Sequence, residues 1–211
     1  ASLLPNLYHL VEPNPSGCKD IKKLFSNLKI KHTKPTLYPK SLDIFKNKKL
    51  YDVVITEGWP GGFLKYDKSM LKKMSTFVKP GGVFLISFLP PIGAMSTYIR
   101  RLIAYRLLNK NKNIKENTII LKKAFSSHLK NLKSMGRSYD HWIQDSILNP
   151  YLCIAHNTPQ ICSKILDKKF QIYNSIPKFA NDWRWYKSLY GKNRQFNKFF
   201  LDDYNSFSHC M

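Results

Sequence analysis

Between Gly136 and Pro150 the chain is denser in reactive side chains than anywhere else: Asp140, His141, Trp142, Asp145 and Asn149 recur at roughly one-turn spacing. A helix would set several of them on a shared face. An imidazole titrates near neutral pH, so His141 is the general-base candidate, with Asp140 or Asp145 to orient it. A capped helix with a rich polar side accounts for the same residues equally well. A second cluster, Trp183-Arg184-Trp185-Tyr186, offers rings that could stack on a sugar and a cation that could pair an anion. Trp183 and Tyr186 equally suit the anchoring of a following helix. Near the start, the apolar run Leu7 to Val11 ends in Glu12. Ligands of open α/β sheets bind beyond the carboxyl ends of strands, and an acid there can accept from both hydroxyls of a ribose. The same acid would also be favoured by the dipole of the next helix.

These groups need elements to position them. After Pro13-Asn14-Pro15-Ser16 a helix is expected with Ile21, Leu24, Phe25 and Leu28 on one face, capped by Asn14 or Ser16. A short strand falls within Ile30 to Leu37. Tyr51 to Gly58 is a β-branched apolar run that ends abruptly in polar residues and glycine, and reads as a strand buried on both faces. Trp59-Pro60-Gly61-Gly62 is a loop, and Met70, Leu71, Met74, Phe77 and Val78 then recur at helical spacing. Lys79-Pro80-Gly81-Gly82 should stop that helix before a second buried strand, Val83 to Phe88. Strand, helix, strand makes a crossover unit of an open α/β sheet. Leu89 to Gly93 reads as a break and Met95 to Leu108 as an amphipathic helix with a basic face. A linker, Asn109 to Lys115, leads to a helix from Glu116 to Met135 with Ile119, Ile120, Phe125, Leu129 and Leu132 inward. Phe170 to Ser175 is expected to be a strand, and a closing helix surrounds Phe196 to Tyr204.

The length, 211 residues, suffices for one sizeable core. No apolar run approaches the ~20 residues that span a bilayer, and Ala1 to Val11 has no signal-peptide pattern. Cys18, Cys153, Cys162 and Cys210 form no Cys-x-x-Cys pair, which speaks for free thiols and against zinc or a disulfide framework. A net charge of +22 favours polyanionic partners. The excess is mostly scattered lysine, however, rather than arginine grouped with aromatic rings.

Asp52-Val53-Val54-Ile55, a helix, and Val78-Lys79-Pro80-Gly81-Gly82 before a hydrophobic strand resemble the fourth and fifth strands of class I S-adenosylmethionine-dependent methyltransferases, whose typical turn is Leu-Lys-Pro-Gly-Gly. The resemblance implies a Rossmann-like, open, mostly parallel α/β sheet with flanking helices and a helical insertion after the fifth strand. Its parts would be a cofactor-binding core (1–90), a helical cap (91–168), and a last strand and helix returning to the core (169–211). It implies S-adenosylmethionine as cofactor, with Glu12 as ribose ligand, Asn14 beside it, and Ser41 and Leu42 near the adenine. Thr56, Glu57 and Gly58 would line the cleft between cofactor and acceptor. Trp59, Trp142, Asn149, Arg184 and Trp185 would meet the acceptor, a small molecule or sugar-containing compound. His141, with Asp140 or Asp145, would serve an oxygen nucleophile, and the compartment would be the cytoplasm. The family's Gly-x-Gly-x-Gly loop occurs nowhere in the sequence, and Ala1 to Asn6 resembles the end of the helix that follows that loop. The resemblance therefore implies a chain lacking its first strand. The second and fourth strands would then pair directly or leave backbone groups unpaired. No seventh strand is legible. Two other classes stay open: an RNA methyltransferase using the basic helices from Arg100 to Lys133, and a non-catalytic fragment or interaction module.

Overall fold

The computed structural model describes residues 5–28, 35–56, 68–87, 91–109, 111–132, 135–150, 158–166, 169–176, 178 and 196–208. The architecture is mixed α/β, and the chain divides into two compact units, Ala1–Tyr51 and Asp52–Met211.

In the first unit, β1 (His9–Val11) and β2 (Thr36–Tyr38) pair in parallel, in the register His9 to Thr36, Leu10 to Leu37 and Val11 to Tyr38. Between them runs α1 (Pro15–Asn27). Proline suits the first helical turn, where its missing N–H is no loss, and Asn14 caps the end by accepting from Ser16 N at 2.9 Å. Its apolar face differs from the expected one, since Leu24 and Leu28 lie half exposed. Ile21 and Phe25 are sheltered as expected, Cys18 is buried beside them, and Phe25 meets Tyr8 edge to face at 5.8 Å. Edge-to-face contacts also join His9 to Tyr38 and to Tyr51, and Tyr38 to the buried Phe45.

β3 (Tyr51–Thr56) begins on the last residue of the first unit and belongs to the second from Asp52 onward, together with α2 (Lys68–Ser75) and β4 (Val78–Ile86). Gly82 lies against Asp52 O, and Ser87 N donates to Thr56 O at 3.1 Å, so β3 and β4 run in the same direction. Met70, Leu71, Met74 and Phe77 are buried, as their spacing predicts. Two expectations fail here. The Lys79-Pro80-Gly81-Gly82 segment is part of β4 rather than a turn before it. The helix has already ended at Ser75, and Gly81 takes the bend at φ 78° without leaving the strand. Nor are the strands buried on both faces: Val53, Ile55, Val83 and Leu85 are 47–60% exposed. Among the described residues α2 packs against β4, and continuous apolar sequence cannot report how many sides are covered.

The helices α3 (Pro91–Leu107), α4 (Ile114–Ala124), α5 (Ser126–Asn131) and α6 (Tyr139–Ile143) follow, and a π-helical turn, Gln144–Leu148, continues α6. Of the expected break at Leu89 to Gly93, Leu89 and Pro90 lie outside the described residues, and Pro91 to Gly93 form the first turn of α3, a position proline accepts. The helix expected from Glu116 to Met135 is two, divided at Phe125, whose φ of −95° and ψ of 12° leave the helical region. α4 begins with a capping box: Asn113 Oδ1 accepts from Glu116 N, and Glu116 Oε2 accepts from Asn113 N. Its buried stripe is Asn117, Thr118 and Leu121, while Ile119, expected inside, lies exposed. Asn117 turns inward because it ties down the preceding loop through Asn109 O, Lys112 O and Asn109 N. Ala104, Leu121, Phe125, Leu129, Ile143 and Ile147 form one apolar core.

α7 (Pro159–Leu166) and α8 (Phe196–Ser208) close the unit, joined by a hydrogen bond from Gln160 Nε2 to Asn205 Oδ1 at 2.8 Å. Residues 170–175 are not a strand. The Asn197 side chain takes the place of a neighbouring strand: Nδ2 donates to Phe170 O and Oδ1 accepts from Ile172 N. Cys18 and Cys162 are free thiols, and burial pushes the Cys162 thiol up to about 11. Among the described residues no helix is long and apolar enough to cross a membrane.

Candidate functional site

The carboxyl ends of β1 and β2 bring Glu12, Asn14, Ser41 and Leu42 into one region of the first unit. Glu12 N donates to Tyr38 O at 3.1 Å, extending the ladder by one bond and placing the acid where the strand ends. Its Oε1 accepts from Asn14 N at 2.7 Å, so the carboxylate turns back over the first turn of α1. A Cβ on Gly17 would come within 3.0 Å of Glu12 Cδ, and glycine leaves the carboxylate room to lie there. Glu12 Oε2 makes no hydrogen bond among the described residues. On the β2 side, Lys40 N donates to Tyr38 O, and Ser41 O accepts from Phe45 N to open a turn that includes Leu42. Asn14 is committed to its capping bond.

Behind this edge lies a polar cluster that the sequence reading missed. His9 Nδ1 and Tyr51 Oη are 2.5 Å apart, and Asn47 Nδ2 donates to Tyr51 Oη at 2.5 Å. Burial, and after it the charge of Lys49, lowers the His9 pKa; burial, and after it Tyr38, raises that of Tyr51. Both groups are therefore neutral near pH 7. Alternation along β1 was the only signal that could have pointed His9 inward.

In the second unit the residues of the Gly136 to Pro150 stretch are brought near one another but spread over different partners. Ser138 caps α6 by accepting from His141 N at 3.3 Å, and the His141 ring is exposed. Asp140 faces α4, where Lys122 Nζ approaches Oδ1 at 2.7 Å as an ion pair without hydrogen-bond alignment. Asp145 pairs with Arg137. Neither recorded carboxylate pair includes His141. Trp142 lies under the Arg100 guanidinium, 5.7 Å from ring centre, and Asn149 O accepts from Arg101 Nη2 at 3.0 Å. Thr56 is buried at the end of β3. Glu57, Gly58, Trp59, Arg184 and Trp185 lie outside the described residues.

A different histidine is partly buried here. His128 on α5 sits between the rings of Phe125 and Trp142, and its Nε2 is buried without a hydrogen-bond partner among the described residues. Burial first, and the Arg100 charge second, lowers its pKa. Its place between the inward-facing Phe125 and Leu132, three and four residues away, was the available signal. A depressed histidine pKa gives stability that is present above the unfolded value of 6.5 and lost as the pH falls below it, because the unfolded chain takes up the proton more readily. His128→Gln is expected to flatten the fall in melting temperature between pH 7 and pH 5. An unchanged slope would mean that His128 is solvated.

Among the described residues no group of three or more His, Cys, Asp or Glu is placed to hold a metal ion. No protein-family model, curated protein or solved structure matches the chain.

Proposed function

We propose that the chain has a Rossmann-like fold, binds S-adenosylmethionine with its ribose on Glu12, and transfers the methyl group to a small-molecule or sugar-containing acceptor. One observation carries the ribose site: a carboxylate at the end of a parallel strand, with Oε1 held by Asn14 N and Oε2 open. A fixed acceptor oxygen beside an open one suits a vicinal diol, whose two hydroxyls need acceptors of set spacing. The position outside the carboxyl ends of parallel strands is where open α/β sheets hold nucleotides. The methyl-transfer reading rests on the resemblance carried by Asp52 to Ile55 and Val78 to Gly82. When bound, the cofactor supplies an electrophilic methyl group on a sulfonium, and alignment of the acceptor provides most of the catalysis.

Calorimetric titration with S-adenosylhomocysteine tests this reading. Glu12→Ala is expected to weaken binding at least tenfold, about 1.4 kcal/mol. The Glu12 main chain keeps its bond to Tyr38 in that variant, so circular dichroism should be unchanged. Absence of binding by folded wild-type chain, or equal binding by the variant, would overturn the proposal.

A further inference from the structure

The α3 helix is inside out. The stripe it turns to the protein is Ala94, Thr97, Arg101, Ala104 and Leu108, at the i, i+3, i+7 spacing of one helical face. Small and polar side chains therefore meet the core, with Ala104 only 1% exposed. Two arginines fasten this side: Arg101 donates to Asn149 O, and Arg100 lies over Trp142. The large apolar residues point the other way. Met95, Tyr98, Ile99, Leu102 and Ile103 are 42–65% exposed, and Met95, Ile99, Leu102 and Arg106 follow one another along the outer line of the helix. At 100° per residue, these five side chains span an arc of about 140°. A contiguous apolar surface of this kind marks a contact site rather than a solvated face.

Charge selects the occupant. No Asp or Glu occurs between Asp67 and Glu116, while lysine and arginine gather at the two ends of that stretch, from Lys68 to Lys79 and from Arg100 to Lys115. Arg106 is exposed at the carboxyl end of the outer line, and Lys112 is exposed just beyond the helix. A second copy of the chain would bring the same cations and another net +22 to the contact, which disfavours self-association. A partner must combine apolar depth with negative charge. The apolar arc is convex and wide, and a fluid acyl layer can envelop it without a preformed groove. We propose that α3 is an interfacial helix that seats Met95, Ile99 and Leu102 in the acyl boundary of an anionic lipid bilayer, with Arg106 and Lys112 at the phosphates. The helix lies obliquely at the surface, its Met95 end deepest, so that Arg106 at the other end of the same line stays at the phosphate level.

The test is co-sedimentation of the full chain with vesicles of phosphatidylcholine alone and of phosphatidylcholine with about one-third phosphatidylserine. Wild type is expected to bind the anionic vesicles at least tenfold more tightly. The double variant Ile99→Ser/Leu102→Ser, which leaves the charge unchanged, is expected to lose at least tenfold on the same vesicles. Its altered side chains are exposed, so melting and circular dichroism should match wild type. Equal binding by this variant would show attraction through net charge alone and overturn the proposal. So would equal affinity for neutral vesicles, absence of binding, or a dimer in vesicle-free buffer that the double substitution dissolves.

Discussion

Leu121→Ala is expected to lower stability by about 3–4 kcal/mol, the largest effect of any single substitution considered. Leu121 is fully buried at the centre of the core formed by Ala104, Phe125, Leu129, Ile143 and Ile147. These neighbours belong to α3, α5, α6 and the π-helical turn, besides Phe125 at the α4–α5 junction. A cavity there has walls fixed by several elements, and such walls relax only partly. The matched control is Ile119→Ala, two residues away on the same helix but exposed. It should change stability by no more than about 0.5 kcal/mol. Urea unfolding followed by circular dichroism gives both values. Equal losses from the two variants would mean that α4 presents a different face to the core.

Gly82→Ala should cost about 2 kcal/mol by overpacking, the second largest effect expected. An added Cβ would stand 2.9 Å from both Asp52 O and Lys79 O, and 3.0 Å from Val78 Cγ1. The two oxygens are main-chain atoms, and they cannot swing aside as a side chain would. Relief requires β3 and β4 to part where the Lys79–Asp52 ion pair joins them. Gly81→Ala makes an instructive comparison. A Cβ at Gly81 meets nothing within 4 Å, so its cost arises only from the left-handed backbone at φ 78°. That cost is about 1 kcal/mol. Adjacent glycines are thus required for different reasons, one for space and one for backbone angle. A larger loss at Gly81 than at Gly82 in thermal unfolding would refute the close approach of the strands.

Local chemistry explains what could be read ahead of the fold. Asn14 before Pro15 announces the start of α1 because capping needs only neighbouring residues, and the strand ending in Glu12 is bounded by its own change from apolar to polar. The spacing of Met70, Leu71 and Met74 gave α2 and its inner face for the same reason. Several of the failures share one cause. Pattern shows that residues lie on a common stripe, but not which stripe another element will cover. Strand β3 carries a continuous apolar run, yet one side is left open. Helix α3 shows a strong apolar line, yet turns Ala94 and Ala104 inward. Residues 170–175 have strand-like sequence, yet the side chain of Asn197, far along the chain, bonds Phe170 O and Ile172 N where a partner strand would.

The chemically active groups show the same division. Sequence alone placed Glu12 at a strand end, since that depends on local pattern. It also gathered Asp140, His141 and Asp145 within one short stretch. The partners of those carboxylates, Lys122 and Arg137, were decided by how α4 and the segment before α6 pack against α6 and its π-helical continuation. The histidine whose ring edge is shielded was His128, because α5 sets it between Phe125 and Trp142. Spacing along a chain determines which side chains can share a face; only the tertiary contacts decide what that face meets.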